Sequence, residues 1–228
     1  MFKKHVVESE IKKMLDQDVI EPSTSPWNSP ICLVAKKSGE WRFCVDLRAL
    51  NKVTKLDSFP LPRIDETLDK LSGSRFFSTL DMASGYWQLS LSEKDREKTS
   101  FAVPGIGTFM FKVMCFGLKN APSSFSRLME VVLRQLQFDK CLVYLDDIIV
   151  VGKDFDTALE NLHAVFSRLR QADLKLNVSK CKLLQKEVVF LGHLVSENGI
   201  TCDPAKIKEI ENWPVPEDKT DIKCFLGL

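Results

Sequence analysis

The hydrophobic pattern along the chain changes repeatedly between helical and extended periodicity. Apolar residues recur three to four positions apart, as in amphipathic helices, in these stretches: Val7–Leu15, 62–72, Ala121–Leu136, Asp156–Gln171 and one beginning at Pro204. Short runs rich in β-branched and aromatic residues predict strands at Ile31–Ala35, Trp41–Val45, Phe76–Asp81, twice between Thr99 and Met114, and at 142–145, 148–151 and Val188–Leu191. Residues 22–30 contain three prolines and predict an extended loop. Because no regular βαβ repeat is present, the predicted class is α+β with an antiparallel central sheet.

Two adjacent carboxylates, Asp146 and Asp147, interrupt the apolar run from Cys141 to Val151. An ionised carboxylate among apolar groups is costly unless a cation or strong donors compensate it, and two neighbours also repel each other. We therefore interpret the pair as the tight connection at the tip of a hairpin, exposed at a cleft, where it binds a cation. If the pair stood alone, an ordinary exposed hairpin turn would be the alternative.

A third carboxylate, Asp81, ends the predicted strand Phe76–Asp81. Three acids at strand ends suit Mg²⁺, which prefers oxygen ligands and is usually held by one or two carboxylates together with substrate phosphates. Two such ions, about 3.5–4 Å apart, can activate an attacking hydroxyl and stabilise a leaving pyrophosphate.

Charge is balanced overall but not locally. Lys+Arg number 32 and Asp+Glu 31, a formal net charge of +1 that does not by itself indicate a nucleic-acid-binding protein. The segment from Lys36 to Lys55, however, carries six basic residues and only two acids, Glu40 and Asp46. Such a segment could contact phosphates, and an ordinary solvated face is the alternative.

Cysteine spacing and hydropathy indicate a reducing, aqueous setting. The seven cysteines show no paired short spacing, and the three histidines add no zinc pattern. No apolar run approaches the roughly 20 residues of a membrane span, and the N-terminus lacks a signal-peptide core. We expect an intracellular protein with free thiols and no membrane partner.

A series of motifs, running in one order through almost the whole chain, resembles a known family. The motifs are Trp41-Arg42-Phe43-Cys44-Val45-Asp46-Leu47-Arg48-Ala49-Leu50-Asn51-Lys52, Leu80-Asp81, Phe116-Gly117-Leu118-Lys119-Asn120-Ala121-Pro122, Tyr144-Leu145-Asp146-Asp147, Phe190-Leu191-Gly192-His193 and Phe225-Leu226-Gly227-Leu228. The series resembles the reverse transcriptase (RNA-directed DNA polymerase) domain of Pol polyproteins from LTR retrotransposons, most closely the Ty3/gypsy group. One departure is Cys115, which stands where that group usually has proline.

The resemblance implies a right-hand polymerase with fingers, a palm built on an antiparallel sheet, and a truncated thumb. The implied bounds are 1–60 and 88–120 for the fingers, 61–87 and 121–203 for the palm, and 204–228 for the start of the thumb. It also implies that Asp81 and Asp146 are the principal ligands of two Mg²⁺ ions, with Asp147 supporting them and Mn²⁺ as a substitute ion.

Further roles follow from the resemblance, position by position. Lys37 and Arg42 match positions that grip the triphosphate of the incoming dNTP, and Tyr86 matches the position that excludes a 2′-hydroxyl. The nucleotide-binding set is Lys37, Arg42, Tyr86, Phe116 and Gly117. The set implied to contact primer and template is Lys36, Arg48, Asn51, Lys119, Tyr144, Phe190, Leu191, Gly192 and His193. For Tyr86 the alternative is a core aromatic, and for the basic hairpin it is a solvated surface.

The implied function is two-metal-ion addition of dNTPs to a primer on an RNA or DNA template. Alternatives are a nucleic-acid-binding remnant that no longer catalyses and, more distantly, a two-metal nuclease. The resemblance also implies RNase H and integrase regions in the same polyprotein, and a cytoplasmic setting that includes virus-like particles and access to the nucleus.

Overall fold

The computed structural model describes residues 2–35, 39, 41–60, 68, 71 and 73–227, and all of their side chains except those of residues 2, 3 and 209. The helices are α1 (Phe2–Asp16), α2 (Arg48–Val53), α3 (Glu93–Arg96), α4 (Ala121–Leu133), α5 (Phe155–Gln171), α6 (Pro204–Glu211) and α7 (Lys219–Leu226). Short 3-10 helices are Gly85–Gln88, Glu97–Thr99 and Val178–Lys180. No helix in these ranges is long and apolar enough to cross a membrane.

The strands of the described residues form four small sheets. They are β1 (Ile20–Pro22), β2 (Ile31–Ala35), β3 (Trp41–Val45), β4 (Phe76–Asp81), β5 (Phe101–Val103), β6 (Gly107–Phe111), β7 (Cys141–Tyr144), β8 (Asp147–Gly152), β9 (Lys182–Gln185), β10 (Glu187–Phe190), β11 (His193–Ser196) and β12 (Gly199–Cys202). The strand orders are β1-β6-β5, β2-β3, β7-β8-β4-β9 and β10-β11-β12. The pairings between these strands are antiparallel, which confirms the predicted α+β class.

The chain divides into two compact units. The first comprises Met1–Leu61, Met82–Gln135 and Arg168–Asn177. Its core joins the apolar stripe of α1 to strands β5 and β6 and consists of Val7, Ile11, Met14, Val19, Ile20, Leu47, Phe101, Val103, Phe109, Phe111 and Cys115. The predicted helical stripe of α1 is therefore confirmed by its burial.

The second unit comprises Pro62–Asp81, Leu136–Ser167 and Val178–Leu228. Its core consists of Leu68, Leu71, Phe77, Leu142, Ile149, Val151, Val188, Phe190 and Val195. Strand β8 is an inner strand of the four-stranded sheet, and its Ile148 and Ile149 side chains are fully buried. At the far end of β8, Gly152 lies so close to α5 that a Cβ on it would come within 2.5 Å of the Ala158 backbone.

Several predicted boundaries differ from the structure. The helix that begins at Ala121 ends at Leu133 rather than continuing through Leu136, and turn residues follow it. Pro22 belongs to the edge strand β1, where a residue without an N–H is tolerated. Most of the predicted helix at 62–72 lies outside the described residues, although Leu68 and Leu71 are buried.

The bounds of fingers, palm and thumb stay a prediction. Residues 82–87, 121–135 and 168–177 fall in the first compact unit, whereas the prediction assigns all three segments to the palm. Compact units are defined by contacts within the chain, and fingers and palm by how they hold nucleic acid, so the two divisions need not coincide.

Candidate active site

The tip of the β7–β8 hairpin lies one residue earlier than predicted. Tyr144 pairs with Asp147, so Leu145 and Asp146 form the two-residue connection and Asp147 is the first residue of β8. Leu145 has φ +56°, a left-handed conformation that is costly for a residue with a side chain. The prediction that Asp146 and Asp147 together form the tip is therefore wrong, because the apolar Leu145 occupies the turn. Strained backbone of this kind clusters at functional sites.

The register of the central sheet brings a third acid to this tip. Strand β4 pairs with β8 from Phe76↔Gly152 to Asp81↔Asp147, so Asp81 lies directly opposite Asp147. Cβ atoms of directly opposed residues are about 4.5–5.5 Å apart, and like charges at such positions destabilise the sheet. Both strands are inner strands of the sheet, so the three acids are held at one end of its most securely paired part.

The three carboxylates interact electrostatically. The pKa of Asp147 is raised, first by loss of hydration and then by the negative charges of Asp146 and Asp81. The Asp147 side chain is exposed at the surface, yet neighbouring protein still removes part of the hydration of its carboxylate. The site therefore concentrates negative charge beyond what its own chain neutralises, which is the condition for binding a cation.

A lysine that the sequence analysis did not single out lies in this site. Nζ of Lys180 is 3.4 Å from Oδ1 and 3.3 Å from Oδ2 of Asp81, and its positive charge also lowers the pKa of Asp147. Lys180 ends the 3-10 helix that precedes β9, the edge strand beside β4. A single lysine in the sequence gives no signal of such a role, because only the β4–β9 pairing brings it here.

The donor set fits a hard divalent cation. Among the described residues no group of three or more His, Cys, Asp or Glu residues is arranged as a ready-made metal site. The acids do, however, repel one another and attract the ammonium of Lys180, and Mg²⁺ commonly takes only one or two carboxylates plus substrate phosphates.

The predicted basic hairpin is confirmed as β2–β3, with Arg42 opposite Val34 and its side chain exposed. Lys36 and Lys37 lie outside the described residues. Arg48, at the start of α2, grips Asp46: Nε donates to Oδ1 at 2.8 Å and a terminal nitrogen donates to Oδ2 at 2.6 Å. These bonds lower the pKa of Asp46 to about 2. Arg48 is therefore paired within the chain, whereas Arg42 is presented on the hairpin surface.

Tyr86 is half-buried within an aromatic cluster of the first unit. Its ring lies edge-on to Phe116 at 5.2 Å and to Phe125 at 5.7 Å between centroids. Gly85 allows the Phe125 ring to lie this close to the backbone, since a Cβ on residue 85 would be only 3.2 Å from that ring. Phe116 is 54% exposed, so the cluster offers an aromatic surface to solvent.

Asn51, Gly117 and Lys119 form one interlocked turn. Asn51 Nδ2 donates to the Gly117 carbonyl at 2.7 Å, and its Oδ1 accepts from the Lys119 N–H at 2.8 Å. Nζ of Lys119 donates to the Thr54 carbonyl at 3.0 Å, beyond the end of α2. These contacts give Asn51 and Lys119 a role in fixing the loop that carries Gly117.

The predicted primer-binding segment forms the turn between β10 and β11. Phe190 pairs with His193, which leaves Leu191 and Gly192 as the two connecting residues, at φ +50° and +75°. Phe190 is buried in the second core, and His193 Nδ1 lies 3.1 Å from the Leu191 carbonyl. Tyr144 packs partly against the same core.

Comparison with known proteins gives a consistent family assignment. Residues 34–195 match the family described as reverse transcriptase (RNA-dependent DNA polymerase). The chain is 41% identical over 227 residues to the retrovirus-related Pol polyprotein from transposon 297 of Drosophila melanogaster, covering 97% of this chain and 21% of that protein. It is 38% identical to the Pol polyprotein from the Drosophila transposon gypsy, covering 97% of this chain and 22% of that protein. The chain thus spans about a fifth of the length of these curated relatives.

Solved structures show the same relationship. The foamy viral protease-reverse transcriptase in complex with double-stranded DNA matches with a TM-score of 0.91 and 27% identity, over 97% of this chain and 39% of that chain. Its complex with an RNA/DNA hybrid matches with a TM-score of 0.90 and 26% identity, over 100% of this chain and 30% of that chain. The fold is thus the predicted α+β polymerase fold. This chain belongs to the reverse transcriptase family, and its relatives include the Pol polyproteins of gypsy-type retrotransposons.

Proposed function

We propose that this chain is the polymerase module of a gypsy-type Pol polyprotein and adds dNTPs to a primer 3′-hydroxyl on an RNA or DNA template. The observation that carries the proposal is the register Asp81↔Asp147 beside the strained Leu145–Asp146 tip, which concentrates three carboxylates at one end of two inner strands. Family membership, and similar structures that hold double-stranded DNA and an RNA/DNA hybrid, support the same activity.

Asp81 and Asp146 would hold two Mg²⁺ ions, or Mn²⁺ in their place, with Asp147 supporting the site. When bound, the ions would lower the pKa of the primer hydroxyl and stabilise the pyrophosphate leaving group. The contribution of the chain is geometric: the sheet fixes Asp81 and Asp147, and the turn fixes Asp146. Phosphoryl transfer needs such positioning and charge neutralisation more than covalent help.

The incoming dNTP would contact residues of the first unit. Arg42 suits the triphosphate because its planar guanidinium can donate to two phosphate oxygens at once, and Lys37 would add a second positive charge. Tyr86, wedged between Phe116 and Phe125, has a ring position fixed well enough to exclude a 2′-hydroxyl sterically. The Asn51–Lys119 contacts would hold Gly117 and its loop against the nucleotide.

Primer and template would be contacted by Lys36, Arg48, Asn51, Lys119, Tyr144 and the turn Phe190–His193. The RNase H and integrase regions of the polyprotein would act on the product. We place the process inside the cell, in the cytoplasm and in virus-like particles.

Primer extension tests the proposal. The chain is incubated with Mg²⁺, dNTPs and a primed RNA or a primed DNA template, and we expect extension on both. A wild-type chain that binds the primed template without extending it would favour the non-catalytic alternative and overturn the proposal.

The matched variants are Asp146→Asn and Asp154→Asn. Asp146→Asn removes an anionic ligand and should reduce extension to background, while relief of repulsion leaves the fold intact or slightly more stable. Asp154 accepts the Thr157 N–H at 2.8 Å at the start of α5, a capping role that Asn fills equally well. Asp154→Asn should therefore extend primers at the wild-type rate. Extension by Asp146→Asn at that rate would contradict the assignment of Asp146 as a metal ligand.

A further inference from the structure

The turn at Leu191 and Gly192 is a rigid platform. Two consecutive residues with positive φ are the signature of a tight hairpin turn whose twist matches that of the flanking strands. The contact between His193 Nδ1 and the Leu191 carbonyl, together with the burial of Phe190, holds the turn from both sides. These contacts support the Gly192 backbone in the turn.

A lysine from another element occupies the space that a side chain at Gly192 would fill. A Cβ built on Gly192 would lie 2.0 Å from Nζ and 2.8 Å from Cε of Lys206. The ammonium of Lys206 is thus seated directly against the bare backbone of the turn. Any larger residue at position 192 would push it away.

The start of α6 is tied to the same turn, which fixes the position of Lys206. The Asp203 N–H points to the Gly192 carbonyl at 3.4 Å, and the carboxylate of Asp203 caps α6 by accepting the Ala205 N–H at 2.9 Å. The Lys206 N–H donates to the Asp203 carbonyl at 3.0 Å. The register His193↔Cys202 closes the connection from the turn to this helix.

Lys206 places a positive charge beside this turn. Within the part of the chain that the structure describes, no carboxylate forms an ion pair with Lys206, although many other basic side chains have such partners. The side chain is exposed to solvent. A cation that has no carboxylate partner among the described residues and lies against a tight turn is suited to an anionic ligand.

We infer that Lys206 is the phosphate-binding group of this turn and contacts a backbone phosphate of the primer strand. This inference rests on the proposed function. Leu191 and Gly192 would supply the shape of the platform and Lys206 its charge, so the pair would position the primer end. Lys206 is thus a positioning residue that touches the primer backbone and takes no part in the chemistry.

Salt-dependent binding of a fluorescently labelled primer–template distinguishes this role. Each phosphate contact contributes about 0.9 to the slope of log K against log salt for duplex DNA, so Lys206→Met should lower the slope by about that amount. The same slope implies about a tenfold loss of affinity near 50 mM salt that shrinks toward none near 1 M salt. Lys206→Arg should restore the slope.

The matched control is Lys208→Met. Lys208 is exposed on the same helix but lies about 200° further around its axis, so its loss should leave the slope unchanged. Gly192→Ala provides a second route, because its Cβ would displace the ammonium without removing the charge. The double variant with Gly192→Ala and Lys206→Met should have the same slope as Lys206→Met alone.

The outcomes separate the inference from the proposed function. If wild type extends primers and Lys206→Met keeps the wild-type slope, or Lys208→Met loses as much, the inference is overturned and the proposed function stands. If wild type neither binds nor extends the primer, the proposed function fails and the inference fails with it. A thermal melt of each variant identifies any loss that comes from unfolding.

Discussion

Replacing Lys180 by Met should increase the affinity of the carboxylate site for divalent cations. The Lys180 ammonium lies 3.3 Å from the nearer Asp81 oxygen, so a divalent ion that binds Asp81 must displace it or bind beside it. Methionine keeps the length and apolar stem of lysine and removes only the charge. The variant therefore isolates the electrostatic part of the competition.

The structure bounds the size of this effect. Two unit charges 3.3 Å apart in surroundings like water interact by about 1.3 kcal/mol. The Lys180 and Asp81 side chains are 63% and 31% exposed, and exposed pairs of this kind contribute about 0–1 kcal/mol. Since about 1.4 kcal/mol corresponds to a factor of ten, we expect Mn²⁺ to bind about two- to fivefold more tightly.

The assay is a Mn²⁺ titration without nucleotide, followed by the electron paramagnetic resonance signal of the free ion. Lys182→Met, which removes an exposed lysine from β9, is the control and should bind as wild type does. Because Lys180 also lowers the pKa of Asp147, its removal lets protons compete better, and the gain should shrink as the pH falls. Equal or weaker Mn²⁺ binding by Lys180→Met at neutral pH would refute the reasoning.

Three further changes have defined outcomes. The raised pKa of Asp147 means that the folded protein binds this proton more tightly than the unfolded chain does, so this group adds stability as the pH falls through its folded pKa toward the ordinary carboxyl value. Urea unfolding at about pH 7 and about pH 4 should therefore show wild type gaining stability relative to Asp147→Asn on acidification, and a constant difference would contradict this. Gly152→Ala should lower the free energy of unfolding by about 3 kcal/mol, because the new Cβ would lie 2.5 Å from the Ala158 backbone and no side-chain rotamer can remove this clash. An unchanged urea midpoint would show that α5 can move aside. Tyr86→Val should lower the ratio of kcat/KM for dNTPs over rNTPs by orders of magnitude while Tyr86→Phe preserves it, and equal ratios in both variants would leave Tyr86 a core aromatic.

Local patterns predicted those elements in which burial follows the sequence. The β2–β3 hairpin, Ile31–Ala35 with Trp41–Val45, has the predicted bounds because a glycine-containing turn separates two apolar runs. Strand β4, Phe76–Asp81, likewise has the predicted bounds. Strand β12, Gly199–Cys202, is exposed at every position, so it carries no alternation that could mark it.

The register of the β7–β8 hairpin could not be read from the sequence. Asp is a common turn residue and Leu is not, so turn chemistry places Asp146 and Asp147 at the tip. In the structure the left-handed residue is Leu145, a choice that only the pairing of β8 with both β4 and β7 imposes. The positions of Lys180 and Lys206 could not be predicted for a related reason, since the folded chain and not the local sequence brings Lys180 to Asp81 and Lys206 to Gly192.

The edge position of β9 has a consequence for the timescales of the site. Among the described strands β9 pairs with β4 alone, and its register is interrupted between Phe77 and Thr79, whereas β8 is paired on both sides. Amide hydrogens of β9 should therefore exchange with solvent through local fraying, and those of Ile148–Val151 only through opening of the whole sheet. Lys180 comes two residues before β9, so we expect its contact with Asp81 to open more often than the pairing between β4 and β8. Asp81 then stays opposite Asp147 while the positive charge of Lys180 moves away, which leaves the carboxylates in place for a cation.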